Sequence, residues 1–147
     1  GATWSLAHRL AQIIDREDIG IYLYETLIQL YPETPQKTKN CVSTAVTFGV
    51  EPEKVNLLVK KFSQLLKRET LSDNTVMVVY NHVDVSKSLR EYGLRVKNGI
   101  VKMEEAEKTA NKNSVDIYRI TGENGLIGAL AAVSYEGDFR NAVLLPS

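Results

Sequence analysis

Leu6, Leu10, Ile13 and Ile14 fall at i, i+4, i+7 and i+8. That spacing puts them on one face of a helix over roughly residues 3–16. Asp15-Arg16-Glu17-Asp18 closes it, and Ile19 to Leu30, rich in aromatic and β-branched side chains, reads as a strand. Tyr31-Pro32-Glu33-Thr34-Pro35-Gln36 is a loop, because two prolines forbid ladder pairing. Cys41 to Val50 is β-branched again and reads as a second strand. Glu51-Pro52-Glu53 suits a helix start, with proline in the first turn and acids at the positive end. Val55, Leu58, Val59, Phe62, Leu65 and Leu66 then repeat with helical period, the most regular apolar pattern in the chain.

The second half continues the alternation. Thr75 to Tyr80 is a short apolar strand. Asp84 or Ser86 can cap a helix running to about Tyr92, with Gly93 as its stop. Val101 to Asn111 reads as helix and Val115 to Ile120 as strand. Thr121 to Val133 opens with turn residues and becomes a helix of small and apolar side chains. Ala142 to Pro146 makes a last short strand or tail. Interleaved strands and helices predict an α/β (or α+β) chain, a mixed sheet with packed helices. No internal repeat or low-complexity linker divides residues 1–147 (a minor boundary could fall only near 93–101), so one compact domain is expected.

Composition narrows the function. At 147 residues the chain is long enough for a real core, with 44% hydrophobic and 24% charged residues. Eighteen basic side chains balance eighteen acidic ones, so no general grip on nucleic acid is advertised. Lys60, Lys61, Lys67 and Arg68 read first as the solvated face of a helix. The lone Cys41 cannot form an internal disulfide, and with only His8 and His82 beside it a structural zinc site is not expected. A reducing, cytoplasmic setting fits. No apolar run reaches membrane-spanning length.

Two segments carry candidate chemistry. A glycine-rich turn feeding a helix, as at Gly122, Asn124, Gly125 and Gly128, leaves backbone N–H groups at the positive end of the helix dipole, suited to a phosphate. The plainer reading is a small-residue helix packed closely on a sheet. The pattern is neither a Walker A loop nor a dinucleotide G-x-G-x-x-G. Pro35-Gln36-Lys37-Thr38-Lys39-Asn40-Cys41, between two predicted strands, offers donors for phosphate or a nucleotide, or is simply a polar loop. No Ser-His-Asp set or usefully spaced carboxylate pair is present, so no catalytic residue is assigned.

Three pieces, in order, resemble the archaeal agmatinylcytidine synthetases, which modify an isoleucine tRNA. Asn124 to Val133 is similar to that family's G-x-I-G-A-L-A-A-hydrophobic run. Leu27 to Asn40 is similar to its strand followed by N-P-x-x-P-x-K-T-(R/K)-G-N. Gly1 to Ala7 is similar to the glycine-rich turn with Thr that opens its first helix, and also to the corresponding phrase in the methanogenesis marker protein 11 group. The resemblance implies a kinase-like core with a ferredoxin-like portion that uses ATP and magnesium on a base of RNA. Thr3, Lys37 and Thr38 match its phosphate-handling positions, and Gly125, Ile127, Gly128 and Ala129 its small-residue helix. The family's acidic G-I-D-D-T-D strand stands ahead of the point where this chain starts, and Cys41 follows Asn40 where the family places glycine before Asn. The expectation is therefore a fragment or degenerate relative with little catalysis of its own. Its sheet would lack a first strand, a gap that a homodimer could fill, and a non-catalytic binding module stands as the competing reading.

Overall fold

The computed structural model describes residues 3–29, 42–136 and 143–145, with side chains over 5–28 and 43–136. Helix α1 (Thr3–Arg16) leads to strands β1 (Ile21–Gln29) and β2 (Val42–Gly49). A 3-10 turn at Pro52–Lys54 runs into α2 (Val55–Glu69). Then come β3 (Val76–Val79), α3 (Lys87–Asn98), α4 (Met103–Lys112), β4 (Asp116–Arg119), α5 (Leu126–Ser134) and β5 (Val143–Leu145). The class is mixed α/β with packed helices, as the alternation of patterns predicts.

The described strands form two sheets, ordered β2-β1-β5 and β3-β4, and every hydrogen-bonded pair is antiparallel. Side-chain alternation then sorts the helices into two layers. Val46 and Phe48 of β2 and Met77 of β3 pack with Leu10 and Ile14 of α1 and Leu58 and Phe62 of α2. Ala45 of β2 and Val76 and Val78 of β3 pack on the opposite side with Leu89 and Tyr92 of α3, Ala106 of α4 and Leu130 of α5. The strand layer is thus covered on both faces. Each large apolar side chain buried this way is worth about 1.5–3 kcal/mol.

Two details depart from the expected pattern. The β1–β2 register slips between Tyr22 and Tyr24, leaving Leu23 as an extra residue that points outward. Helix α3 is capped by Ser86, one of the two expected caps, its hydroxyl accepting from the Leu89 N–H at 3.2 Å, but the helix runs past Gly93 to Asn98. Gly93 is no helix stop. A Cβ there would lie 1.9 Å from Ser134 Oγ, so the glycine lets α3 and α5 touch. Among the described residues no helix is long and apolar enough to cross a membrane.

Candidate functional site

A cavity of about 190 Å³ opens where three elements begin. Ala7 comes from the first half of α1, Ser43 and Thr44 from the start of β2, and Gly125 and Ala129 from the start of α5. Ser72, Asn74 and Thr75 of the α2–β3 connection complete its polar part. These groups are hydroxyls and an amide; Ser43, Ser72 and Asn74 can donate to a phosphate oxygen, whereas the Thr44 hydroxyl donates to Glu25. Deeper in, the wall becomes apolar at Val46, Phe62, Met77 and Val78. The same residues also border a second cavity of about 320 Å³, which continues between β2 and β3 toward Phe48, Leu58 and Tyr80.

The turn into α5 is held by the α2–β3 connection. The Thr121 hydroxyl accepts from the Thr75 N–H at 2.9 Å and donates to the Ser72 carbonyl at 2.7 Å. The Ile120 and Thr121 N–H groups both donate to the Thr75 carbonyl at 3.1 Å. A Cβ on Gly122 would stand 2.4 Å from the Asp73 oxygen, and one on Gly125 would stand 2.5 Å from the Asn74 oxygen. Gly125 has ordinary helical angles, φ −75° and ψ −7°. The two glycines therefore serve close backbone approach, not an unusual conformation. This packing accounts for both without a ligand, while still leaving Gly125 on the cavity wall.

The other expected site residues are placed unevenly. Thr3 starts α1, one turn before the cavity residue Ala7. Lys37 and Thr38 lie outside the described residues, as does Cys41; the chain re-enters at Val42, next to the cavity residues Ser43 and Thr44. Asn124 is exposed on the turn, and Gly128 is half-buried within α5. Neither borders the cavity. Of the basic helix residues, Lys60, Lys67 and Arg68 are exposed, whereas Lys61 pairs with Glu17 at 3.4 Å.

Behind Thr44 sits a polar cluster with no signature in the sequence. Glu25 is 1% exposed, and its Oε2 accepts the Thr44 hydroxyl at 3.0 Å. His8 Nδ1 lies 3.9 Å from Glu25 Oε1 and 2.9 Å from the Tyr22 hydroxyl. Burial pushes the Glu25 carboxyl up to about 7, against the opposing pull of the Thr44 hydrogen bond. Tyr22 is raised to about 12, first by burial and then by the nearby Glu25 charge. His8 thus joins helix to sheet through this cluster.

The described cavity wall fits a phosphate better than a magnesium ion. It contains no carboxylate, and Mg²⁺ is usually held through one or two of them. Among the described residues no three His, Cys, Asp or Glu side chains converge as a metal site.

Residues 1–53 match the family described as the TiaS TCKD domain. That span supplies α1, β1, β2 and one side of the cavity. An uncharacterized protein of the archaeon Methanocaldococcus jannaschii is 47% identical over 133 residues, 90% of this chain and 44% of that protein. The 2-agmatinylcytidine synthetase TiaS of Pyrococcus horikoshii, named for an isoleucine tRNA, is 30% identical over 113 residues. The enzyme of the same name from Thermococcus sibiricus is 26% identical over 112 residues. Each of these two alignments covers 74% of this chain and 26% of the synthetase. The chain spans less than half the length of the curated relatives it matches. With the cavity formed between the matched span and α5, the chain resembles the tRNA 2-agmatinylcytidine synthetases over about three quarters of its length, and its first third resembles their TCKD domain.

Proposed function

We propose that these 147 residues form the nucleotide-handling core of a cytoplasmic tRNA-modifying protein of the agmatinylcytidine synthetase type, kinase-like in its use of ATP. One observation carries the reading. The span that matches the TCKD domain and the small-residue helix α5 meet at one cavity, although more than seventy residues separate Val46 from Gly125. Phosphates of ATP would lie at its mouth, near the first turns of α1 and α5, whose dipoles favour anions. Thr3, Lys37 and Thr38 would contact them from one side and Gly125 from the other, with Gly122, Asn124 and Gly128 shaping the turn and helix that carry it without bordering the cavity. Lys37 would supply the charge that a neutral wall of Ser43, Thr44, Ser72 and Thr75 lacks. With no carboxylate on the described wall, these residues alone would bind nucleotide with little dependence on magnesium and without phosphoryl transfer.

Titration calorimetry tests this reading. ATP should bind the chain measurably, and Lys37→Ala should weaken it by about 1–3 kcal/mol, the value of a charge-assisted phosphate contact. Equal affinity in the variant would remove Lys37 from the site. A second reading, a non-catalytic binding module, is favoured by the packing of Gly122 and Gly125 on the Asp73–Val76 backbone. Under it, neither protein would give binding heat with ATP.

A further inference from the structure

Thr44 is shared between two neighbourhoods. Its side chain borders the smaller cavity, where a phosphate would sit, and its hydroxyl lies 3.0 Å from Glu25 Oε2 and 3.1 Å from the Thr26 carbonyl. Glu25 is buried behind it and does not reach the cavity wall. A negative charge in that position would oppose an anion across one layer of side chains, where little water screens it. The carboxyl therefore bears on the site without touching it.

The proton count at Thr44 sharpens this. A hydroxyl has one proton to donate, and an ionised carboxylate can only accept. With Glu25 charged, the Thr44 proton is held by Oε2 and the cavity meets its lone pairs. With Glu25 neutral, the same 3.0 Å contact can run the other way, the acid donating to Thr44 Oγ. The Thr44 proton is then released to the Thr26 carbonyl or to an oxygen in the cavity. Field and hydrogen bond thus act in one direction: ionisation of Glu25 disfavours an anion, and protonation favours it. Burial keeps the proton on Glu25 up to about pH 7, so the exchange falls near neutrality.

Few other charges face Glu25 among the described residues. His8 of α1 places Nδ1 3.9 Å from Oε1 and, being 29% exposed, opens the cluster to solvent protons. Tyr22, on the same strand face, hydrogen-bonds His8 and gives its N–H to Asp15. Arg9, beside His8, is turned to Glu69 at 2.9 Å. Tyr24 points to the other face of β1, where it bonds Glu136. Strands β2 and β5 and helix α5 carry no ionisable side chain, and α2 adds apolar side chains to the core around Tyr22. We propose that Glu25 is a proton-operated switch on anion binding: neutral, it releases the Thr44 hydroxyl to the site; ionised, it withholds that hydroxyl and repels the anion. The switch rests on the nucleotide reading of the cavity and adds its regulation. Linkage makes the effect reciprocal, so a bound anion should in turn draw a proton onto Glu25.

Titration calorimetry with ATP at about pH 6 and about pH 8, either side of the Glu25 value of about 7, separates the outcomes. The terminal phosphate of ATP titrates in this range as well, identically for every variant, so the comparison between proteins isolates the side chain. From the lower pH to the higher, the wild type should lose on the order of tenfold more affinity than Glu25→Gln, the effect of one buried charge roughly 10 Å from the anion. His8→Gln should keep the wild-type loss. In the wild type at about pH 8, ATP should also raise the infrared band of a protonated carboxyl, a signal that needs no variant and that ATP, having no carboxyl, cannot supply. Equal loss in wild type and Glu25→Gln, or no carboxyl signal, overturns the switch and leaves the nucleotide reading standing. A loss that vanishes in His8→Gln and persists in Glu25→Gln assigns the titration to His8 and overturns it equally. No binding heat at either pH removes the nucleotide reading, and the switch with it.

Discussion

At the scale of single residues, Glu25 is the side chain most exposed to a change in conditions. Its carboxyl is buried, takes one hydrogen bond from Thr44, and holds its proton to about pH 7. A folded pKa above the unfolded value of 4.5 means that the native state binds the proton more tightly. The resulting stability is fully present below about pH 4.5 and is lost as pH rises through about 7. Each pH unit between those two values corresponds to about 1.4 kcal/mol, so the loss is on the order of 3 kcal/mol. Urea unfolding at about pH 5 and about pH 8 should show that decline in the wild type and much less of it in Glu25→Gln. Identical pH dependence would mean that another group is responsible. The sequence hides Glu25 for a physical reason. Strict alternation from the inward Tyr22 would turn residue 25 outward, but the extra residue at Leu23 shifts the register and brings Glu25 onto the same face as Tyr22.

Among the elements, α5 decides how tightly the second half packs. It touches α3 through Gly93, where a Cβ would lie 1.9 Å from Ser134 Oγ and 3.1 Å from the Tyr135 ring. The Tyr135 hydroxyl also donates to the Gly93 carbonyl at 2.9 Å, so the two helices cannot simply slide apart. Gly93→Ala should therefore cost about 1–3 kcal/mol by overpacking, despite a gain of about 1 kcal/mol in helix propensity. Denaturant unfolding checks the sign: a variant more stable than the wild type would show that the contact yields freely. The helical and strand segments themselves are legible, because Leu6 to Ile14 and Val55 to Leu66 keep one period throughout. The role of Gly93 is not. Glycine in a helical pattern signals a stop as readily as a close contact, and only the packing of α5 distinguishes them.

The whole molecule brings distant segments together at one corner. The first half of α1 and the starts of β2 and α5 border the smaller cavity, an arrangement set by topology and invisible to local pattern. Sequence motifs single out the two candidate phosphate segments separately; that Ser43 and Gly125 border one space is a property of the fold. Charge is also a property of the whole. With a net charge of zero, binding of tRNA should be weak and should fall steeply with salt, since any contact would come from local groups such as Lys60, Lys67 and Arg68. Fluorescence anisotropy with labelled tRNA at two salt concentrations measures this, and binding that ignores salt would exclude a phosphate-backbone interaction. The shared site itself is tested most directly by following backbone amide resonances during an ATP titration. The expected result is that signals from Lys37, Thr38, Ser43 and Thr44 move together with those of Gly122, Gly125 and Gly128, along one binding curve. Shifts confined to one of the two segments, or none at saturating ATP, would contradict a common nucleotide site.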